Sequence, residues 1–300
     1  MKEIPIIDAH QHFWDLSMEK HPWLCRENPI PFRYGDYSSI KHNYLPVNYQ
    51  TDSAKYNVVK TVHMEAEWDP HDPLGETEWL MQLHEDTGFP NAIVGQAWFT
   101  KTNIEKILEK QASCPLMRSI RHKPSSSETP EAFVPSLPGS MADPAFRQGY
   151  ASLNKYNLHF DLQTPWWHLK EAAELAYDFP ETTVILNHTG LPSDRTEKGI
   201  AGWKSGMKAL AAQSNSAVKI SGICVPDKKW TADLNYQIVR ETIRIFGIER
   251  CMFASNFPVD GVVSTFSDIY TGFAQIVSDL SDIDQRKLFH DNAVKFYRPS

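Results

Sequence analysis

The chain reads as a single (β/α)8 domain, the TIM-barrel arrangement of eight parallel strands each followed by a helix, and three features predict it. Eight short apolar runs rich in β-branched residues recur along the 300 residues. Most show little alternation, as expected of strands buried on both faces. Helix-like stretches lie between them, which makes the sheet parallel. The connections are unequal: those from helix to next strand are short, and those from strand to next helix are long. An open doubly wound sheet is the competing arrangement. No glycine-rich phosphate loop follows the first strand, which weakens its dinucleotide-binding version.

The first run, Ile4 to His10, leads into His10-Gln11-His12 and then a long segment, Phe13 to Leu45, rich in proline and aromatics. The second, Val58 to Glu65, precedes Glu76 to Thr87, where Trp79, Leu80 and Leu83 fall at helical spacing. After the third, Ala92 to Trp98, Asn103 is placed to cap a helix carrying Ile104, Ile107 and Leu108. The fourth, Leu116 to Arg121, opens into the Pro- and Ser-rich segment His122 to Ala142. Within it Ser125 to Pro138 reads as either a packed lid or a disordered stretch. The fifth, Leu158 to Gln163, is followed by Thr164-Pro165, an N-cap with proline at the first helical position ahead of Trp166. The sixth, Thr183 to His188, leads through a long loop, Thr189 to Gly202, to a helix over Ser205 to Ala212. The seventh, Ala217 to Ser221, leads through Ile223 to Trp230 to a helix over Tyr236 to Phe246, and Cys251 to Ser255 is the eighth. The short returns are Tyr56-Asn57, Gly88-Phe89-Pro90, Asp178 to Glu181 and Gly247 to Arg250.

Composition bounds the function. A hydrophobic content of 41% suits one domain, 1–300, with its own core, and no linker or repeat divides it. A net charge of -7 without a basic stripe argues against nucleic acid as the partner. No transmembrane run or signal peptide is expected, so no membrane partner either. Cys25, Cys114, Cys224 and Cys251 are scattered without a C-x-x-C pair, which reads as free thiols in a reducing compartment, the cytoplasm. A small molecule is the expected partner.

In a barrel the strand C-termini and the loops after them carry the chemistry. His10 and His12, two apart, share a face about 7 Å apart and can converge on one ion or one substrate oxygen. Polar residues end most other strands: Glu65 and Glu67, Arg121 and His122, Asp161 and Gln163, His188, Lys219 and Ser221, and Asn256. Each alone reads equally well as a satisfied capping or ion-paired group; their gathering at one mouth is what an active site predicts.

These residues resemble a known family. Asp8-Ala9-His10-Gln11-His12-Phe13-Trp14-Asp15 is similar to the opening of the amidohydrolase-2 family, and closer still to its sugar-lactone and dicarboxylate-lactone hydrolases. Ile120-Arg121-His122, Leu186 to Gly190, Val218 to Gly222, Met252 to Val259 and the closing Asp291 to Tyr297 agree with it. The resemblance implies a lactone hydrolase with His10, His12, His188 and the strand-8 residue in the catalytic set. It also implies a divalent metal, zinc by donor softness, held by His10, His12, Glu65 and His188, and it allows a metal-free version as the lesser alternative. Dimerisation is implied too. Arg121 and Lys219 suit a substrate carboxylate. His122 and Gln163 line the expected site, and Trp14 and Trp166 suit stacking against a sugar or flat lactone ring.

One departure is chemical. The family ends strand 8 with an aspartate, and this chain has Asn256. An amide oxygen is too weakly basic to deprotonate water. Either the base lies elsewhere, or the substitution was introduced to trap a complex, or hydrolysis is lost. The neighbouring change to Phe257 favours natural variation. Glu65, Glu67, His12 and His188 are the available bases, and Asp260 reads as a loop carboxylate. A decarboxylase on the same histidines and a non-enzymatic ligand binder are the alternative functions.

Overall fold

The computed structural model describes residues 4–300. Its eight parallel strands are β1 (Ile6–Gln11), β2 (Val58–Met64), β3 (Ala92–Gln96), β4 (Met117–Arg121), β5 (His159–Leu162), β6 (Val184–Leu186), β7 (Ser216–Ile220) and β8 (Cys251–Phe253). Each pairs with its neighbours in sequence order. Beyond β8 the sheet closes on β1: Asn256 N donates to His10 O at 2.8 Å and His12 N to Phe257 O at 2.7 Å. The expected barrel is therefore the observed one.

Eleven α-helices accompany the strands among the described residues: α1 (Pro22–Cys25), α2 (Pro46–Ser53), α3 (Gly75–Thr87), α4 (Ile104–Ala112), α5 (Pro144–Lys155), α6 (Leu169–Asp178), α7 (Glu197–Ala211), α8 (Ala232–Phe246), α9 (Phe266–Ile276), α10 (Asp282–Arg286) and α11 (Asn292–Tyr297). Two local expectations need correction. Thr164-Pro165 does not cap α6: Pro165 precedes a short 3-10 turn, Trp166–His168, and the buried Thr164 hydroxyl makes no hydrogen bond. The segment from Thr189 to Gly202 is not all loop, because Thr196 accepts from Gly199 N and starts α7 at Glu197. Asn103 stands at the N-cap of α4 without a side-chain cap bond. No helix among the described residues is long and apolar enough to cross a membrane, and all four cysteines are free.

Alternation sorts the strand side chains. Ile7, Ala9, Val62, Met64, Ala92, Val94, Ile185, Ala217, Met252 and Ala254 fill the barrel, joined by Ala293 and Tyr297 of α11. The closing helix thus stoppers the barrel from below. Between Asp8 and Gln11 the β1 register shifts against β2. The irregularity lets His10 and His12 stand among the interior groups while Gln11 bonds Thr61. The long segment after β1 is packed over the mouth. Trp14 exchanges backbone bonds with Tyr44, Trp23 Nε1 donates to Ala66 O at 2.9 Å, and Tyr34 Oη donates to Asp260 at 2.9 Å. The segment around Ser127 is likewise tied down, by Trp167 Nε1 to Ser127 O and Ser127 N to His168 Nε2.

Candidate active site

Three histidine rings form the centre of the mouth. His10 lies 5.1 Å from His12 and 4.5 Å from His188 between ring centroids, and all three are buried. Burial, with the positive field of neighbouring groups, holds each imidazole well below its usual titration range, so the rings are neutral at pH 7. Both ring nitrogens of His10 are buried without a hydrogen-bond partner. His12 is oriented from below and behind: Nδ1 lies 2.8 Å from Met64 O, and the Trp14 ring stacks at 6.3 Å. A carbonyl only accepts, so Nδ1 carries the hydrogen and Nε2 presents its lone pair. His188 Nδ1 meets Ser221 Oγ at 2.9 Å. Gly222, at φ +58, packs on that ring so closely that a Cβ would fall 2.4 Å from Nδ1.

Asn256 faces His12. Its Oδ1 lies 3.3 Å from His12 Nε2, and its Nδ2 donates to Asp260 Oδ1 at 2.6 Å. The carboxylate thus fixes which end of the amide points at the histidine. Two lone pairs consequently face each other across 3.3 Å, an arrangement completed by a group that donates to both, such as one water molecule. Asn256, His188 and Thr189 all have positive φ, at 56°, 54° and 49°. Such strain, on the order of 1–3 kcal/mol per residue, gathers at functional sites, and Asn tolerates it better than most residues.

The cavity above the rings holds about 240 Å³. His12, His188, Asn256, Arg121 and Gln163 line it, as expected from the sequence. Trp23, Phe32, Arg33 and Lys123 join them and were not singled out by sequence. Trp23 and Phe32 stack at 6.0 Å and supply a flat wall. Their only signal was the aromatic richness of the segment after β1.

Several expected roles change. Glu65 is not free to bind a metal: Arg121 Nε donates to Oε1 at 2.5 Å and Glu67 N to Oε2 at 2.8 Å. Glu67 pairs with Lys123. Arg121 is neutralised by Glu65 but still borders the cavity and reaches Gln163 at 3.3 Å. Lys219 is fully buried 2.7 Å from Asp161 and lies over the Tyr297 ring, below the histidines rather than in the cavity. His122 packs outward on Phe99 and Phe146 and accepts from Phe99 N. Trp14 is buried with Nε1 on His42 O, so it backs His12 instead of meeting a ligand. Trp166 lies on Gly202 at a separate rim hollow with Lys198 and Glu128. Asp260 is no loop carboxylate. It is buried behind Asn256, and burial raises its pKa against the pull of Arg33 and its hydrogen bonds.

A divalent ion would meet a mixed set of donors here. The free nitrogens of His10 and the facing pair of His12 and Asn256 suit one. Against it, the strand-8 ligand is an uncharged amide and Glu65 is engaged. Arg121 and Lys219 both add positive potential at His10. Among the described residues no three His, Cys, Asp or Glu side chains are disposed to hold an ion. Zinc sites of ordinary strength use closely convergent His, Cys or carboxylate donors. These residues therefore do not fit a tightly held dication.

Comparison with known proteins agrees with this architecture. A relative from Sinorhizobium fredii, "uncharacterized protein y4mH", is 39% identical over 298 residues, covering 99% of this chain and all of that one. An L-fucono-1,5-lactonase from Burkholderia ambifaria is 25% identical over 299 residues, covering 97% of this chain and 95% of the relative. The crystal structure of an amidohydrolase from Burkholderia multivorans with bound zinc superposes with a TM-score of 0.80 at 20% identity, covering 98% and 99% of the two chains. The amidohydrolase-2 family model (amidohydrolase) matches residues 7–298, and the chain belongs to that family.

Proposed function

We propose that the protein hydrolyses small polar lactones, with His12 as the base. The observation that carries this reading is the pair of facing acceptors, His12 Nε2 and Asn256 Oδ1, at 3.3 Å in the cavity wall. A water donating one hydrogen to each is held with its remaining lone pairs free for attack. His12 takes the proton as the water oxygen bonds the lactone carbonyl carbon; burial lowers its basicity, but the Nε2 lone pair is still a far stronger base than an amide oxygen. Asn256 orients that water, and Asp260 holds Asn256. When Ser221 donates to His188 Nδ1, the ring's Nε2–H faces the cavity and donates to the carbonyl oxygen as charge develops there. One such donor contributes on the order of 3 kcal/mol to the transition state. Collapse breaks the ring C–O bond, and the imidazolium of His12 returns its proton to the leaving alkoxide. The product is an open-chain hydroxy acid.

The lactone reading also draws on the Burkholderia ambifaria relative, whose name is L-fucono-1,5-lactonase. The cavity of about 240 Å³, with one flat aromatic wall and polar groups opposite, suits a single sugar-sized ring. A panel of 1,4- and 1,5-sugar lactones read by acid release tests the proposal, with and without prior chelation. Turnover that chelation changes less than about twofold is expected. Turnover abolished by chelation and restored by zinc would overturn the His12-base mechanism. Carbon dioxide release from aromatic acids, with no lactone opened, would overturn the reaction class.

A further inference from the structure

A second cavity adjoins the first and contains a half-buried cation whose charge meets no carboxylate among the described residues. It holds about 310 Å³ and is walled by Pro165, Trp167, Leu191, Ile223, Val225 and Pro226. Arg33 borders both cavities, and Gly222, which packs on the His188 ring, borders this one. Arg195 stands in its wall. The neighbouring cations differ from it: Arg121 is paired with Glu65, Lys123 with Glu67, Lys219 with Asp161, and Arg33 lies 3.8 Å from Asp260.

Arg195 has one firm partner, Ile223 O, at 3.2 Å from Nη2. Its contact to Asn235 lasts in only one orientation of that amide. With the amide turned, Asn235 donates to Ile223 O at 3.0 Å and accepts from Trp230 Nε1 at 3.3 Å, and its oxygen leaves the arginine. Arg195 Nε is buried and unpartnered. The ionisable groups facing Arg195 are Tyr34 and Cys224, both protonated at neutral pH, and burial lowers the guanidinium to about 10, so it stays charged. A half-buried guanidinium against proline and aliphatic walls is costly unless an anion completes it.

We propose that this cavity binds the distal anionic group of the substrate, so that the preferred lactones carry a carboxylate at the end remote from the ring ester. The proposal rests on the lactone-hydrolase reading. Arg195 presents a planar fork suited to a carboxylate, Arg33 links the two cavities, and the walls around them are mostly apolar.

A matched pair of probes tests it. Galactono-1,4-lactone and galactaro-1,4-lactone differ only at C6, a hydroxymethyl in the first and a carboxylate in the second. The wild type should favour the carboxylated lactone in kcat/KM by roughly tenfold to a hundredfold. In Arg195→Met that preference should fall to near unity, with galactono-1,4-lactone turnover little changed. Arg195→Lys should restore part of it. Ser193→Glu, an exposed change on the same wall, should lower it independently of any folding effect at Arg195. A preference unchanged in both Arg195→Met and Ser193→Glu, or absent from the wild type, would overturn the proposal. Calorimetric binding of open-chain galactarate against galactonate separates the two claims. If neither lactone is opened, the lactone-hydrolase reading fails. Tighter galactarate binding lost in Arg195→Met would still support the anion site, and equal binding of both acids would refute it.

Discussion

The inside of the barrel holds two polar clusters, one above the other, built on opposite plans. In the lower one the two opposite charges are paired, although Lys219 Nζ and Asn187 Oδ1 make no hydrogen bond of good geometry. Asp161 lies 2.7 Å from Lys219, accepts from Tyr297 Oη at 2.9 Å and from Asn187 Nδ2 at 2.8 Å, and Lys219 lies over the Tyr297 ring. In the upper one the groups are left open. His10 has two free nitrogens, and His12 and Asn256 present facing lone pairs. Burial makes both clusters costly, and the lower one offsets more of that cost within the chain through its ion pair and the bonds to Asp161. Unsatisfied groups persist where a ligand or a reacting molecule completes them. On the proposed reading the lower cluster is framework, and the upper one is where a ligand completes the open groups.

The largest break in this comparison should come from the lower cluster. Asp161→Asn leaves Lys219 buried without its counter-charge and should cost about 3–5 kcal/mol in urea unfolding. A cost under about 1 kcal/mol would show that the lower cluster is not framework. A second test lies behind the mouth, where Glu76 meets His63 at 3.2 Å, lies 3.9 Å from His21 and accepts from Ala66 N. Burial alone would raise its pKa, but the two imidazoles outweigh burial and hold it down at about 2, below its ordinary 4.5. A depressed acid stabilises the fold above its unfolded value, and that contribution is lost as pH falls through the folded one. Unfolding free energy should fall by on the order of 1–3 kcal/mol between pH 4.5 and 2, and Glu76→Gln should flatten that slope. An unchanged slope in the variant would assign acid sensitivity elsewhere.

The third test sharpens the upper cluster. Restoring the family's aspartate by Asn256→Asp should slow lactone opening roughly tenfold or more, because it sets a second carboxylate against Asp260. The amide and the buried acid behind it work as a unit, with Asn256 Nδ2 on Asp260 at 2.6 Å. Faster turnover in the variant would mark Asn256 as a relic of an impaired site.

Much of this was legible in the sequence, and the failures have physical causes. All eight strands fall within three residues of their expected starts and ends because runs buried on both faces stand out from turns. His12, His188, Arg121, Gln163 and Asn256 border one cavity because strand ends in a barrel share one mouth. His122 was misplaced, although period two sends neighbours such as Arg121 and His122 to opposite faces. Lys219 was read onto the correct face at the wrong depth, and alternation carries no information about depth. Asp260 and Trp23 escaped because their positions depend on loop packing, which no periodicity encodes. Trp14 and Trp23 are equivalent in composition, and only the path of the loop puts one behind His12 and the other in the wall.

The most direct measurement is the initial rate of acid release from a sugar lactone by His12→Gln, compared with the wild type at equal folded concentration. The account predicts a rate at least a hundredfold lower, the range of a lost general base, with thermal stability close to the wild type. A variant that keeps the wild-type rate would contradict the central claim and move the chemistry away from the facing pair of His12 and Asn256.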